Sequence, residues 1–267
     1  MMGIWIFTSA ILQYGNQETM DTEYGNWVSK RIIYTPGVAG LVCLGLGLLF
    51  PILLIPAVLF FLFAAYFAYA RHLASPRGAN LQDRIAKLVL EHLDWNGEGR
   101  ALDIGCGSAA LTIKLAHEYP RARIVGIDSW GGQWEYSKDM CERNARVEKV
   151  SDHVTFQKAS ASSLPFADEY FDAVVSNLVF HEVRDVADKR EVVREALRVL
   201  KKGGRFAFQD LFLLRRTYGD IDDLLAVIRC WGIKKVKFIE TRNAPFIPRV
   251  LKLPFMVGTM GIVTGEK

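Results

Sequence analysis

The chain has 267 residues, enough for one large domain plus a smaller unit. Hydrophobic residues make up 51% and the net charge is +4. The basic excess is not gathered into a run, which argues against a nucleic-acid partner. The four cysteines, Cys43, Cys106, Cys141 and Cys230, are scattered without metal-ligand or disulfide spacing. No metal site is expected, and a reduced, cytoplasm-facing domain is the simplest reading.

Residues 1–19 open on a short apolar run without a basic n-region or a small-residue cleavage site, so no secretory signal is expected. From Met20 the sequence MDTEYGNWVSKR reads as an ordinary protein start. Residues 1–19 are therefore expected to be a disordered or spurious extension, at the head of an N-terminal tail over 1–36. Residues 37–70 contain no charged side chain, a run longer than the roughly 20 residues one membrane-crossing helix needs. Pro51 and Pro56 lie near its middle, so two short helices joined by a Pro51–Pro56 turn are predicted. Lys30 and Arg31 precede the run; Arg71, His72 and Arg77 follow it. Positive charge on both flanks predicts a transmembrane or re-entrant hairpin over 37–72 with both ends cytoplasmic. A buried helix pair in a soluble core is the competing reading. Gly40, Gly45 and Gly47 permit close helix contact, and Tyr66 and Tyr69 suit a membrane interface.

Residues 75–267 turn globular. Apolar residues at Leu81, Ile85, Leu88, Val89 and Leu93 have a helical period, with Asn80 as N-cap. After a turn at 96–99, strands and helices alternate. Strands are predicted at 101–104, 123–128, 154–159, 171–177, 205–210 and 236–242. Helices are predicted at 111–119, 133–148, 188–200 and 221–232, with Lys202-Gly203-Gly204 as a helix stop. A last apolar stretch covers 258–264. Such alternation predicts an α/β fold, a doubly wound, mostly parallel sheet with helices on both faces.

The first strand ends in Asp103-Ile104-Gly105-Cys106-Gly107, and a helix starts near Ala109. Glycines let a ligand approach backbone closely, and helix-start N–H groups favour an anion. Gly105, Gly107 and Ala110 formally match a dinucleotide fingerprint, with Asp128 at the end of the second strand as the ribose acid. Asp103 discriminates: a carboxylate there suits a cofactor that carries an α-amino group.

Here the chain resembles the class I S-adenosylmethionine-dependent methyltransferases over about residues 80–267. Asp103, Gly105 and Gly107 look like the family's D-x-G-x-G motif. Asp128 looks like its ribose-binding acid, and Ser160-Ala161 falls where the family often has Asp-Ala beside the adenine. Asp172 and the LKKGGRFAF stretch look like its later motifs. The resemblance implies a Rossmann-like seven-stranded sheet with an antiparallel last strand. It also implies S-adenosyl-L-methionine as cofactor. Asp103 would hold its amino group, Asp128 its ribose hydroxyls, and Gly105, Cys106 and Gly107 its methionine end, with Ser129 and Trp130 beside the adenine. For Trp130, plain core packing is the alternative. Two departures are Ala109, where the family often has glycine at the methionine end, and Ser160 in place of aspartate.

The fourth strand runs into Ser176-Asn177-Leu178-Val179-Phe180-His181-Glu182, a segment that passes the sulfonium in the family. Asn177 is expected to contact cofactor or substrate, with His181 as general base and Glu182 orienting it. The alternative is that both only cap the next helix. The connection 243–256 mixes apolar residues with Arg249 and Lys252, which suits either an acyl-chain boundary or a lid over the sheet edge. The expected protein is a membrane-anchored methyltransferase with a small or lipid-like acceptor. A non-catalytic S-adenosylmethionine binder and an NAD-dependent oxidoreductase are the competing readings.

Overall fold

The computed structural model describes residues 22–131 and 136–267. The expectation for residues 1–19 and the first part of the helix predicted at 133–148 lie outside the described residues. Seven strands form one sheet: β1 (Arg100–Ile104), β2 (Arg123–Asp128), β3 (Val154–Lys158), β4 (Phe171–Asn177), β5 (Leu200–Asp210), β6 (Lys235–Glu240) and β7 (Gly261–Glu266). Their order is β3-β2-β1-β4-β5-β7-β6, and β7 runs antiparallel to both of its neighbours. β1 and β4 are almost wholly buried, so they read as continuous apolar runs. The chain leaves β1 toward β2 and β3, then returns to its other side with β4. That reversal opens a crevice beyond the carboxyl ends of β1 and β4.

The flanking helices are α3 (Leu81–Glu91), α4 (Ala110–Glu118), α5 (Lys138–Val147), α6 (Lys189–Arg198), α7 (Arg215–Tyr218) and α8 (Ile221–Cys230), numbered after two earlier ones. Ser137, Asp188 and Asp220 cap α5, α6 and α8 with their side chains. Asn80 does stand at the N-cap of α3, but its φ is +50° and its side chain caps nothing. Asparagine tolerates that left-handed conformation better than most residues. Lys202-Gly203-Gly204 is not a helix stop. α6 ends at Arg198 and β5 already begins at Leu200, and the pairing of β4 with β5 shifts register between Phe171 and Ala173. Gly203, at φ +78°, lets the strand bend there.

The N-terminal run folds into two helices, α1 (Arg31–Gly47) and α2 (Leu54–Ala74), joined through a 3-10 turn at Pro51–Leu53. They pack antiparallel. A Cβ on Gly40 would lie 2.9 Å from the Phe61 ring, and one on Gly47 2.5 Å from Leu54. The boundaries differ from the predicted 37–72: α1 starts at Arg31 and carries Pro36 within it. Pro51 marks the turn, whereas Pro56 sits in the first turn of α2, where its missing N–H costs no helical bond. Among the described residues, Pro51–Ala74 is the one helix long and apolar enough to cross a membrane, and Arg31–Gly47 is a shorter apolar helix. The helices expose Leu41, Leu59 and Leu62, and the turn between them exposes Leu48, Leu49 and Ile52.

The foot of this hairpin is fastened to the sheet domain. Arg71 donates to the Val28 carbonyl, and Asn26 donates to the Arg71 carbonyl at 3.1 Å. Phe67, Ala70, Leu81, Ile85, Ile247, Leu251 and Met260 share one buried cluster. Tyr66 donates to the Val250 carbonyl at 2.9 Å.

Asp172 stands at the opposite edge of the sheet from the crevice. It accepts from the Arg100 backbone N–H at 2.9 Å and from Lys201 at 2.7 Å, tying β1 and β5 to β4. Its place in the sequence motif is therefore structural. Asp172→Ala is expected to lower stability by about 1–3 kcal/mol. Urea unfolding in mild detergent checks this as a lower midpoint at unchanged slope.

Candidate active site

The crevice is floored by the turn between β1 and α4. Gly105 and Gly107 have φ of +72° and +56°. A Cβ on Gly105 would fall 2.2 Å from the Val179 side chain, so only glycine fits. The N–H groups of Gly105 and Cys106 both donate to the Ile127 carbonyl, at 2.8 and 2.9 Å, which hangs the turn on the end of β2. Ala109 has φ +70° and precedes α4, which has no side-chain cap. Its methyl is fully buried in the core with Leu111 and Cys106 and is not on the cavity wall. A left-handed alanine there costs roughly 1 kcal/mol.

Three aspartates reach the same edge from three strands. Asp103 is buried and accepts from Thr112 Oγ1 at 2.6 Å. Burial lifts its pKa to about 7, with a push from Asp128 and opposed by Thr112. Asp128 accepts from the Gly107 N–H at 2.9 Å and from the Trp130 N–H at 2.8 Å. The Trp130 indole N–H donates to the Gly107 carbonyl at 3.0 Å, and the Cys141 thiol to the same oxygen at 3.1 Å. Trp130 packs partly against the core and also lines the cavity. The third carboxylate is Asp210, at the end of β5, with its side chain fully buried. It accepts from the Phe180 and Leu211 N–H groups at 2.8 and 2.6 Å and lies 2.7 Å from His181 Nδ1.

His181 occupies a 3-10 turn, Phe180–Glu182. Burial pulls its pKa down, but the bond to Asp210 and the charges of Asp210 and Glu182 outweigh that, and the net direction is up. Glu182 stands 3.9 Å from His181 Nε2, beyond hydrogen-bond reach. The expected orienting role belongs instead to Asp210, which the sequence reading missed. The available signal was positional: Asp210 ends a strand, as Asp128 does, and Asp103 lies one residue short of a strand end. Thr112, one turn into α4, was also missed.

The remaining expected residues fall around the same space. Asn177 accepts from Gln209 at 2.7 Å. Ser160 is tied to Asp185 at 2.9 Å and lies beside Ala161. Cys106 is buried, which pushes its thiol well up. Asp103, Gly105, Cys106, Gly107, Asp128, Ser129, Trp130, Ser160, Ala161, Asn177, His181 and Glu182 all line one cavity of about 1720 Å³. An N-terminal strap runs along it. Ser108 Oγ donates to the Tyr24 carbonyl at 3.1 Å, and Asn144 clasps the backbone of Glu23 at 3.0 Å in both directions. The C-terminal connection closes the far end with Leu251, Phe255, Met256 and Val257.

Comparison with known proteins matches residues 102–208 to a family described as a methyltransferase domain. An O-methyltransferase of Aspergillus nomiae is 30% identical over 182 residues, which cover 60% of this chain and 76% of that protein. A methyltransferase of Streptomyces halstedii is 32% identical over 143 residues, 54% of this chain, and the match spans about half of its length, 48%. The geranyl diphosphate C-methyltransferase of Streptomyces coelicolor A3(2), solved with Mg2+, geranyl diphosphate and S-adenosyl-L-homocysteine, superposes with a TM-score of 0.52 at 16% identity. That superposition covers 73% of this chain and 86% of the other, and it establishes the fold. With the glycine turn, the strand-end aspartates and a relative matched over 76% of its length, the chain belongs to the class I S-adenosyl-L-methionine-dependent methyltransferases.

Proposed function

We propose that this protein is a membrane-anchored methyltransferase that moves a methyl group from S-adenosyl-L-methionine to a small, lipophilic acceptor. The observation that carries this reading is the single cavity that joins the glycine turn, the His181–Asp210 pair and the foot of the apolar hairpin. At about 1720 Å³ it exceeds the roughly 300–1,000 Å³ of an ordinary small-ligand pocket, leaving room for an acceptor beside the cofactor.

The residues present fit the cofactor. Asp103 is a buried carboxyl on the cavity wall whose charged form gains most from a cation, and an α-ammonium supplies one. The uncapped start of α4 and the glycine cradle suit a carboxylate. Each Asp128 oxygen has spent one lone pair on a backbone N–H and retains another for a ribose hydroxyl. Bound there, S-adenosyl-L-methionine supplies a methyl group already activated on a sulfonium. The protein's own work is then to hold the acceptor in line and take its proton. Asp210 fixes the His181 ring through Nδ1, leaving Nε2 as the nitrogen for that proton. An oriented base favours turnover over the alternative of cofactor binding without catalysis.

The hairpin supports anchoring. Its outward faces expose many large apolar side chains side by side, and both ends return to the domain. Lys30, Arg31, Arg71, His72 and Arg77 cluster at that end, which favours a cytoplasmic catalytic domain. Sedimentation with membranes after alkaline carbonate washing tests this; release into the supernatant would count against anchoring.

Two outcomes follow for the site. Affinity for S-adenosyl-L-homocysteine is expected to rise with pH up to about 7 and then level off, because Asp103 must lose its proton to pair with the ammonium. Binding weakens by up to about tenfold per pH unit below that point. Asp103→Asn should bind weakly at every pH, and calorimetric titration across the range checks both. His181→Ala is expected to lower kcat by about 10²- to 10⁴-fold while leaving S-adenosyl-L-homocysteine affinity intact. A radiolabelled methyl-transfer assay with a membrane lipid extract reads this, and unchanged turnover removes His181 from the mechanism.

A further inference from the structure

We propose that the end of the cavity away from the glycine turn is a binding channel for the acceptor's apolar tail, opening sideways at the hairpin foot. This rests on the methyltransferase reading of the same cavity. The channel is lined by Phe67, Ala70 and Ala74 of α2 and by Leu251, Phe255 and Met256 of the C-terminal connection. Ala70 and Ala74 lie one helical turn apart, on one face of α2, and both are buried. Ala70, only 1% exposed, has no room for a larger side chain unless its neighbours are displaced. Phe255 packs against the Tyr66 and Phe67 rings, with centroids 6.0 and 6.2 Å apart, yet remains 64% exposed.

The mouth is apolar on its outside as well. Val250, Leu253 and Phe255 are exposed beside it, and the outward faces of α1 and α2 continue that surface. At the sheet end the cavity carries Asp103, Asp128 and His181, the last held by Asp210, and at the hairpin foot Arg71, Gln82 and Asp83 also reach its wall. The cavity thus joins proton-accepting groups at the sheet to one apolar wall made by α2 and the C-terminal connection. Its ligand is an amphiphile: a head with an exchangeable proton at His181 and a hydrocarbon tail that passes between α2 and the connection. A bilayer at the hairpin lets such a molecule enter without its tail crossing water. Straight alkyl and isoprenoid tails share this chemistry.

The test uses the full chain in phosphatidylcholine nanodiscs with S-adenosyl-L-homocysteine. Two phenol-headed probes carry a mid-chain diazirine, one on a hexadecyl tail and one on a farnesyl tail. After illumination, adducts are mapped by mass spectrometry, with and without excess of the non-photoreactive parent. Competable adducts on Phe67, Leu251 or Met256 are expected, and the arm that gives them identifies the tail chemistry. Ala70→Phe is expected to cut competable labelling at least tenfold while S-adenosyl-L-homocysteine affinity stays unchanged. Adducts confined to the outward faces of α1 and α2, without competition by the parent, overturn the channel; the map of the unsubstituted chain decides this even if Ala70→Phe does not fold. S-Adenosyl-L-homocysteine binding in the same sample separates the two readings. Retained binding without channel labelling overturns the channel alone, whereas lost binding overturns the cofactor assignment.

Discussion

The site depends on how Gly107 is held. Its N–H goes to Asp128, and its carbonyl takes the Trp130 indole and the Cys141 thiol. Three elements, β2, the segment after it and α5, thereby grip both peptides of one turn residue. The turn can then stay open on its cavity side, because its shape is set from behind. A glycine is needed at Gly105 for a different reason, the Val179 side chain pressed against it. The loop is thus held by its neighbours on the side away from the cavity.

Parallel pairing explains why the chemistry gathers where it does. β1, β2 and β5 run in the same direction, so their last residues meet at one edge of the sheet. Asp103 lies one residue before the end of β1, and Asp128 and Asp210 end β2 and β5. Their environments then divide them. Asp103 is buried with one side-chain donor and is held near neutrality in pKa. Asp128 is occupied by backbone N–H groups, and Asp210 turns to a histidine. At the other edge, Asp172 does structural work between strands, although it belongs to the same set of motifs.

The hairpin and the C-terminal connection lie far apart in sequence and share one cluster with α3. The connection was open to two readings, an acyl-chain boundary or a lid over the sheet edge. Ile247 and Leu251 are buried against the foot of the hairpin, while Leu253 and Phe255 stay outside. The hairpin itself was legible because its apolar run and its prolines are local signals. Its ends were less so: Pro36 is tolerated inside α1, and Pro56 falls in the first turn of α2 and not in the connecting turn. Likewise the bend at Gly203 looked like a helix stop, since glycine punctuates both helices and bulged strands.

The sequence by itself determined the strand–turn–helix around Gly105, the acids Asp103 and Asp128 that flank it, and the alternation that builds the sheet. These are short-range properties, set by adjacent residues and by periodicity. Only the tertiary structure decided that His181 is oriented by Asp210 and not by its neighbour Glu182, that Trp130 clamps the turn, and that the cofactor crevice runs on to the hairpin. Each of those depends on which strand ends and loops become neighbours across the sheet. Residues 29 positions apart, such as His181 and Asp210, meet through strand order and register, which no local pattern encodes.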